Sequence, residues 1–190
     1  MKTDTPSARD EIVQVASKLF YEQGFHRTGV QQIINEAGVA KGTFYTHFRS
    51  KEELGVAWLK ARHHTWNSWL DESISRKRTP ESRINAIFDF LGEWMEDSDY
   101  RGCAFINTLA ETPDGTNPLR DEIANHKQRL LQRFERLVKE HLTSKPERDC
   151  LQIARTLFIL FEGALVEMQN FRAQWPLEAA AQEASRLLRP

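Results

Sequence analysis

The fold is decided by residues 28–54, which read TGVQQIINEAGVAKGTFYTHFRSKEEL. Apolar side chains recur here at helical spacing, first at Ile33 and Ile34 and then at Phe44 and Phe48. Gly38 lies between the two runs and is of the kind that ends a helix and begins a tight turn. The stretch therefore predicts two short helices joined by a turn, the spacing of a helix-turn-helix whose second helix enters the DNA major groove.

Helical patterning continues on both sides of this segment. Ser7 is a good N-cap for a first helix that Gly24 ends, and residues 50–53 have the spacing of a capping box at the start of a long helix. Several of the seven prolines stand where a helix would begin, and no run of residues alternates as a strand would. We therefore expect an all-α chain, with a three-helix helix-turn-helix domain at residues 1–54 and a second helical domain at residues 55–190.

Composition places the chain among ordinary globular proteins. It has 190 residues, a mass of 22.1 kDa, 40% hydrophobic and 28% charged residues, and a formal net charge of -1, so no overall basic field indicates a polyanionic partner. Cys103 and Cys150 are too few for a disulfide framework and lack the spacing of a zinc site. No apolar stretch approaches the roughly 20 residues of a membrane span. We expect a cytoplasmic protein without metal or cofactor, and the lack of nucleotide loops, nucleophile elbows and zinc-protease motifs argues against an enzyme.

The second helix of the helix-turn-helix carries the residues expected to contact DNA. If Phe44 and Phe48 face inward, its outer faces present hydrogen-bond donors that reach phosphates and base edges. Residues 24–51 add local positive charge, with four basic side chains against one carboxylate, and a glycine at position 42 lets the backbone approach DNA closely. The alternative is that these side chains merely solvate a surface helix. The predicted DNA-contacting residues are Thr28, Lys41, Gly42, Thr43, Tyr45, Thr46, His47 and Lys51.

The same residues resemble the DNA-binding domain of the TetR family of transcriptional regulators. The resemblance rests on residues 42–48, GTFYTHF, followed by residues 50–52, SKE, and it spans roughly residues 9–55. Two positions depart from the family, which often has serine or threonine where Gly29 stands and serine where Ala40 stands. The resemblance implies a C-terminal helical domain for ligand binding and dimerisation, and a homodimer that binds a pseudo-palindromic DNA operator.

The C-terminal helices carry more apolar surface than one core needs. In residues 151–168 apolar side chains cover more than one helical face, and residues 177–188 add a seam of small side chains that includes Ala180 and Ala184. The resemblance implies that these two helices pair with their copies in a four-helix dimer bundle. The alternative is that both helices belong to one large core within a single chain.

A ligand site is expected where polar or reactive side chains interrupt apolar helices and aromatic rings line a cavity. Glu162 lies in an apolar run, where a buried carboxylate needs a donor, although an exposed or interface-paired carboxylate fits the sequence equally well. Residues 102–111 resemble a helix start in a branch of the family that includes sensors of reactive electrophiles. A helix N-terminus favours the thiolate of Cys103, and the alternative is a small buried hydrophobe. The predicted ligand-binding residues are Trp66, Trp94, Cys103, Phe105, Asn107, Phe158 and Glu162.

These observations together predict a dimeric one-component transcriptional regulator, a repressor that binds a pseudo-palindromic operator and is released by a small-molecule effector. The long helix that starts near Lys51 would carry the ligand signal to the DNA-binding domain. Two alternatives stay open, a ligand-independent DNA-binding activator or architectural protein, and a helical small-molecule-binding module without operator function. Ligand-induced release excludes the first alternative, and specific operator binding excludes the second.

Overall fold

The computed structural model describes residues 7–189, which form nine α-helices and no strand. The helices are α1 (Ala8–Gln23), α2 (Val30–Glu36), α3 (Lys41–His47), α4 (Lys51–Ser75), α5 (Pro80–Asp97), α6 (Ala104–Glu111), α7 (Leu119–His141), α8 (Glu147–Phe171) and α9 (Trp175–Leu187). The all-α prediction is therefore confirmed for the described part of the chain. Within residues 7–189, no helix combines the length and the apolar character needed to cross a bilayer.

The chain folds into two compact units, each built from two stretches of sequence. The first contains the residues up to Thr65 together with Ala104–Ala124, and the second contains Trp66–Cys103 together with the residues from Asn125 onward. Helices α4 and α7 each contribute residues to both units. The first unit thus joins α6 and the start of α7 to the N-terminal helices, a grouping that the sequence did not predict. The functional boundary after residue 54 stays a prediction.

The first unit is organised around the apolar stripe of α1. Phe20 is 2% exposed, and its ring centroid lies 5.0 Å from that of Phe25 and 5.1 Å from that of Trp58 on α4. Ser7 begins the helix as predicted, because its side chain accepts a hydrogen bond from the backbone N–H of Asp10 at 3.2 Å. The buried stripe of α1 consists of Ile12, Ala16, Leu19 and Phe20.

The turn between α2 and α3 contains the predicted glycine. Gly38 has φ +64°, in the left-handed region that favours glycine. Gly29 and Ala40 hold the N-cap positions of α2 and α3, and neither supplies a side-chain hydrogen bond to its helix. Both seven-residue helices therefore depend on the packing of their buried side chains rather than on capping.

The start of α4 differs in one detail from the predicted capping box. Ser50 Oγ accepts a hydrogen bond from the backbone N–H of Glu53 at 3.1 Å, as expected. The Glu53 carboxylate, however, accepts from the backbone N–H of Arg49 at 2.8 Å, one residue before the serine. Both bonds still tie the turn between α3 and α4 to the first turn of α4.

The core of the second unit is aromatic where α5, α7 and α8 meet. The rings of Phe88, Phe134 and Phe161 lie 6.0 to 6.2 Å apart between centroids, and all three side chains are at most 2% exposed. On α9, Ala180 and Ala184 are 6% and 1% exposed. These two members of the predicted seam are therefore covered within a single chain, whereas Leu177, Ala181 and Leu187 of the same helix stay half-exposed.

Candidate functional site

The outward face of α3 carries most of the side chains predicted to contact DNA. Phe44 and Phe48 are 0% and 2% exposed, and their rings lie 6.1 Å apart, so they hold the helix against the rest of the first unit. This confirms the inward direction predicted for the two phenylalanines. The remaining side chains of α3 are exposed or half-exposed, namely those of Lys41, Thr43, Tyr45, Thr46 and His47.

The most prominent side chain on this face is Tyr45. It is 47% exposed, and its ring makes an edge contact with Phe44 at a centroid distance of 5.2 Å and an interplanar angle of 80°. The ring is thus anchored on one side while nearly half of the side chain faces solvent. Beside it, Thr46 Oγ1 donates to the carbonyl of Gly42 at 2.9 Å, and a Cβ on Gly42 would meet no atom within 4 Å. Among residues 7–189, none therefore occupies the space next to the α-carbon of Gly42.

Thr28 has a structural role instead of the predicted contact with DNA. Its side chain is 0% exposed, and its hydroxyl donates to the carbonyl of Gly24 at 2.8 Å and to that of Leu19 at 3.3 Å. A hydroxyl bound to two carbonyls inside the unit is not presented to a phosphate. The prediction that Thr28 contacts DNA is corrected on this ground.

Lys51 is held against the loop between α1 and α2. Its Nζ donates to the carbonyl of His26 at 3.1 Å and lies 4.7 Å from the ring centroid of Phe25. Burial lowers the pKa of Lys51 below the ordinary value of 10.5, and the carboxylates of Glu52 and Glu111 oppose this effect. The ammonium thus has a partner inside the unit, and its predicted contact with a DNA phosphate stays a prediction.

Glu111, the last residue of α6, binds the same loop at the same residue. Its Oε2 accepts a hydrogen bond from the backbone N–H of His26 at 2.6 Å. Gly24 leaves room for this carboxylate, since a Cβ on Gly24 would lie 2.8 Å from Oε1, and its φ of +96° also favours glycine. Lys51 and Glu111 therefore hold the carbonyl and the N–H of one residue, and we call these two hydrogen bonds the His26 clamp.

In the second unit, two of the predicted ligand-binding residues share one aromatic cluster. Trp66 contacts Phe90, Trp94 and His126 edge to face, with centroid distances of 5.4, 6.0 and 5.0 Å. The rings of Phe90 and Trp94 are stacked at 6.3 Å with an interplanar angle of 15°. Trp66, Trp94 and His126 are 3%, 6% and 3% exposed. We refer to Trp66, Phe90, Trp94 and His126 as the aromatic cluster.

A second group joins Cys103 to Glu162 through a lysine. Lys127 Nζ lies 2.6 and 2.8 Å from the two carboxylate oxygens of Glu162 and 3.7 Å from Cys103 Sγ. The side chains of Lys127 and Glu162 are each 18% exposed, and Cys103 is 3% exposed. Burial lowers the pKa of Lys127, but the electrostatic attraction and hydrogen bonds of Cys103 and Glu162 raise it by more, so this pKa lies above the ordinary lysine value. Glu162 is thus neither exposed nor unpaired.

Three predicted ligand-binding residues remain, two on α6 and one on α8. Phe105 and Asn107 are on α6 in the first unit, where Phe105 is buried and Asn107 is half-exposed. Phe158 is half-exposed on α8, whereas Phe161, three residues later, is fully buried in the core. The structure therefore brings Trp66 together with Trp94 and Cys103 together with Glu162.

Sequence reasoning missed His126 and Lys127 on α7. The signal was present for His126, which occupies a position of the apolar stripe that runs through Ile123, Leu130 and Phe134 at spacings of three and four residues. A histidine in such a stripe is expected to be buried. Lys127 follows it directly, and no local pattern indicates that its ammonium reaches Glu162, which is 35 residues away.

One open groove lies on the first turns of α8, and a second lies between α7 and the start of α8. Charged and polar side chains line most of their walls, and none of the predicted ligand-binding residues does. Among residues 7–189, no group of three His, Cys, Asp or Glu side chains is arranged to hold a metal ion.

Comparison with known proteins identifies similar sequences along most of the chain. The profile of a family described as bacterial regulatory proteins, TetR family, matches residues 12–57, and the profile of a tetracycline repressor-like C-terminal domain matches residues 80–184. The HTH-type transcriptional repressor NemR of Escherichia coli is 27% identical over 181 residues, which cover 90% of this chain and 89% of NemR. The HTH-type transcriptional repressor DhaR of a Mycobacterium species is 25% identical over 173 residues, which cover 90% of this chain and 86% of DhaR.

Solved structures show the same fold. SCO4454, a TetR-family transcriptional regulator from Streptomyces coelicolor, superposes with a TM-score of 0.85 and 25% identity, covering 95% of this chain and 94% of SCO4454. The reduced form of Escherichia coli NemR gives a TM-score of 0.82 at 24% identity, covering 95% of this chain and 97% of NemR.

Proposed function

The chain belongs to the TetR family of bacterial transcriptional regulators, and from this premise we propose that it is a dimeric cytoplasmic repressor that leaves a pseudo-palindromic operator when a small molecule binds. The relatives NemR and DhaR are named as transcriptional repressors, which supports repression over activation. The observation that carries the DNA-binding part is the exposed polar face of α3, held outward by the buried Phe44 and Phe48.

Operator binding is tested with duplexes selected from a random-sequence pool. Lys41→Ala should weaken binding to all sequences and flatten the dependence of affinity on salt, because a phosphate contact releases counterions wherever it forms. Thr43→Ala and His47→Ala should instead change which base pairs are preferred. Both polar side chains are half-exposed on α3, where they can form hydrogen bonds with base edges in the major groove. Fluorescence anisotropy at several salt concentrations measures both effects.

A matched control is Lys77→Ala, which removes one exposed ammonium from the loop between α4 and α5. It should leave operator affinity and its salt dependence unchanged. Unaltered operator affinity in a Lys41→Ala/Tyr45→Ala double variant would contradict the assignment of α3 as the DNA-contacting helix.

Dimerisation is supported by apolar side chains on α8 and α9 that the described residues 7–189 leave largely exposed. Ile159 is 67% exposed, Phe171 is 58% exposed and Trp175 is 52% exposed. Gly163, one turn after Ile159, is exposed with no atom within 4 Å of a Cβ placed on it, so a second helix has room to approach. A two-fold dimer would place two recognition helices about 34 to 36 Å apart, one for each half-site.

A substitution of the exposed residue Ile159 tests this dimer. Ile159→Glu should convert a dimer to a monomer in sedimentation velocity at micromolar concentration, while Leu109→Glu, which also replaces a surface leucine or isoleucine but lies on α6, should not. A monomeric wild-type protein would contradict the proposal.

The coupling between effector and operator is assigned to the long helix α4, which contributes residues to both units. The His26 clamp supports this assignment, since Lys51 at the first turn of α4 holds the loop that leads into the helix-turn-helix. Operator binding that no small molecule relieves would favour the ligand-independent alternative. Small-molecule binding without any specific operator would favour the alternative of a binding module.

A further inference from the structure

We propose that the aromatic cluster of Trp66, Phe90, Trp94 and His126 binds a neutral, planar, conjugated molecule that carries a carbonyl oxygen or an equivalent hydrogen-bond acceptor. This inference rests on the proposed release of operator DNA by an effector and adds the chemical class of that effector. All four residues belong to the second unit and come from α4, α5 and α7.

Two buried indole N–H groups indicate that the ligand carries a hydrogen-bond acceptor. Trp66 and Trp94 are 3% and 6% exposed, and neither indole Nε1–H has an acceptor among residues 7–189. An indole N–H can only donate, and native proteins rarely leave such a buried group unpaired. Two of them occur here in rings whose centroids are 6.0 Å apart. A ligand oxygen restores the missing hydrogen bonds, whereas an apolar ligand leaves them unmade.

The arrangement of the rings indicates the shape of the ligand. Phe90 and Trp94 lie nearly parallel, at 15°, and Trp66 meets both of them edge to face at 77°. Flat conjugated molecules interact with such surfaces through offset stacking and edge contacts, as aromatic side chains do with one another. The cluster therefore favours a fused-ring or otherwise planar ligand over a branched aliphatic one.

The charged groups near the aromatic cluster indicate whether its ligand is neutral or charged. Lys127 follows His126 directly in the sequence, but its ammonium is already paired with Glu162 at 2.6 and 2.8 Å. The four residues of the aromatic cluster contain no carboxylate, ammonium or guanidinium group. Apart from the His126 imidazole, no group of the cluster could supply a counter-charge to a charged ligand that lost its hydration there, so a neutral ligand is favoured.

The competing explanation is that the two indoles are structural and bind no ligand. Both explanations account for the buried rings, but they differ in what the N–H groups do. If the N–H groups bind a ligand oxygen, replacing tryptophan by phenylalanine lowers the preference for an oxygen-bearing ligand. If the N–H groups are merely unpaired, the same replacement leaves that preference unchanged.

Fluorenone and fluorene make a suitable pair of probes. Both are planar, neutral and of nearly the same size, and they differ in a carbonyl group that replaces a methylene. Transfer from water to an apolar site by itself favours the more hydrophobic fluorene. The proposal predicts the opposite order, with fluorenone bound at least about 10-fold more tightly by the wild-type protein in isothermal titration calorimetry.

The variants test which groups produce that preference. Trp66→Phe and Trp94→Phe should each reduce the fluorenone-to-fluorene affinity ratio by about 3- to 10-fold, the effect of one hydrogen bond, and the double variant should abolish the preference. Because the ratio is measured within one variant, a general loosening of the fold affects both probes alike. Trp69→Phe is the control, since Trp69 also lies on α4 but is 44% exposed, and it should keep the wild-type ratio.

The outcomes separate this inference from the proposed function. Absence of fluorenone binding up to its solubility limit, or equal binding of both probes by the wild-type protein, would overturn the inference and leave operator binding and effector release untouched. Selective binding of fluorenone that Trp66→Phe and Trp94→Phe weaken supports the site. If the selected operator duplex then stays bound at saturating fluorenone in an anisotropy assay, the site stands and its coupling to release is wrong.

Discussion

Removing the carboxylate of Glu162 provides a quantitative test of the buried ion pair with Lys127. Glu162→Leu removes both carboxylate oxygens from the Lys127 ammonium and leaves Cys103 Sγ, at 3.7 Å, within reach of its Nζ. Breaking a fully buried pair costs about 3 to 5 kcal/mol of unfolding free energy. Both side chains are 18% exposed here, so partial hydration places the expected loss below this range, at about 2 to 3 kcal/mol.

The double variant Lys127→Met/Glu162→Leu separates the charge from the packing. It removes both charges and keeps apolar volume, so most of the stability should return, to within about 1 kcal/mol of wild type. Urea unfolding followed by circular dichroism at pH 7 and a fixed protomer concentration measures both variants. Because the folded pKa of Lys127 is raised, the contribution of the pair is complete below the ordinary value of 10.5 and is lost as the pH rises through the folded value, so pH 7 captures it in full.

An exposed pair on α9 provides the control. Arg186 and Glu183 are 57% and 45% exposed at a distance of 3.0 Å, and Glu183→Leu should cost at most a few tenths of a kcal/mol. The reasoning would be refuted if Glu162→Leu cost no more than Glu183→Leu, or if the double variant were as unstable as the single variant.

Four further substitutions have defined outcomes. Gly24→Ala should lower the unfolding free energy by about 1 to 3 kcal/mol, because alanine is strained at φ +96° and ψ 152° and its Cβ would press on Glu111; thermal unfolding measures this. Ser7→Ala should cost about 1 kcal/mol by removing the cap of α1, with the same measurement and an unchanged circular dichroism spectrum as the check on folding. If the effector is an electrophile or an oxidant, Cys103→Ser should keep operator binding and abolish release, whereas Cys150→Ser should change neither; release that persists without Cys103 would indicate a reversible ligand.

The sequence predicts those features that depend on neighbouring residues. Helix ends follow from local chemistry, as with the serine at position 7, the left-handed Gly38 and the proline at position 80, which is the first residue of α5. The inward direction of Phe44 and Phe48 follows in the same way from their spacing of four residues, which places both on one side of a helix. Because the two phenylalanines face inward, the polar residues of α3 are left on its outward faces.

Contacts between distant residues are not encoded in such patterns. Thr28 precedes α2 and therefore has the position of a residue near a helix N-terminus, yet its hydroxyl donates backward to the carbonyls of Leu19 and Gly24. The bond from His26 to Glu111 spans 85 positions, and no periodicity or motif relates the two residues. Such pairs depend on how the helices meet, which a single sequence specifies through the whole core rather than through local signals.

The free energy of the two hydrogen bonds in the His26 clamp can be compared with the coupling free energy of a typical allosteric switch. An effector changes operator affinity only through interactions that differ between the bound and the released conformations. A coupling free energy of about 1 to 3 kcal/mol, a 5- to 150-fold change in affinity, is typical of such switches. The clamp consists of two hydrogen bonds to charged groups, from the His26 N–H to Glu111 at 2.6 Å and from Lys51 to the His26 carbonyl at 3.1 Å, each of which typically contributes about 1.5 to 3 kcal/mol before its exposure to solvent is taken into account. In the proposed mechanism of release, making or breaking one of these exposed hydrogen bonds would supply the lower end of that coupling if about 1 kcal/mol of its contribution persists in water.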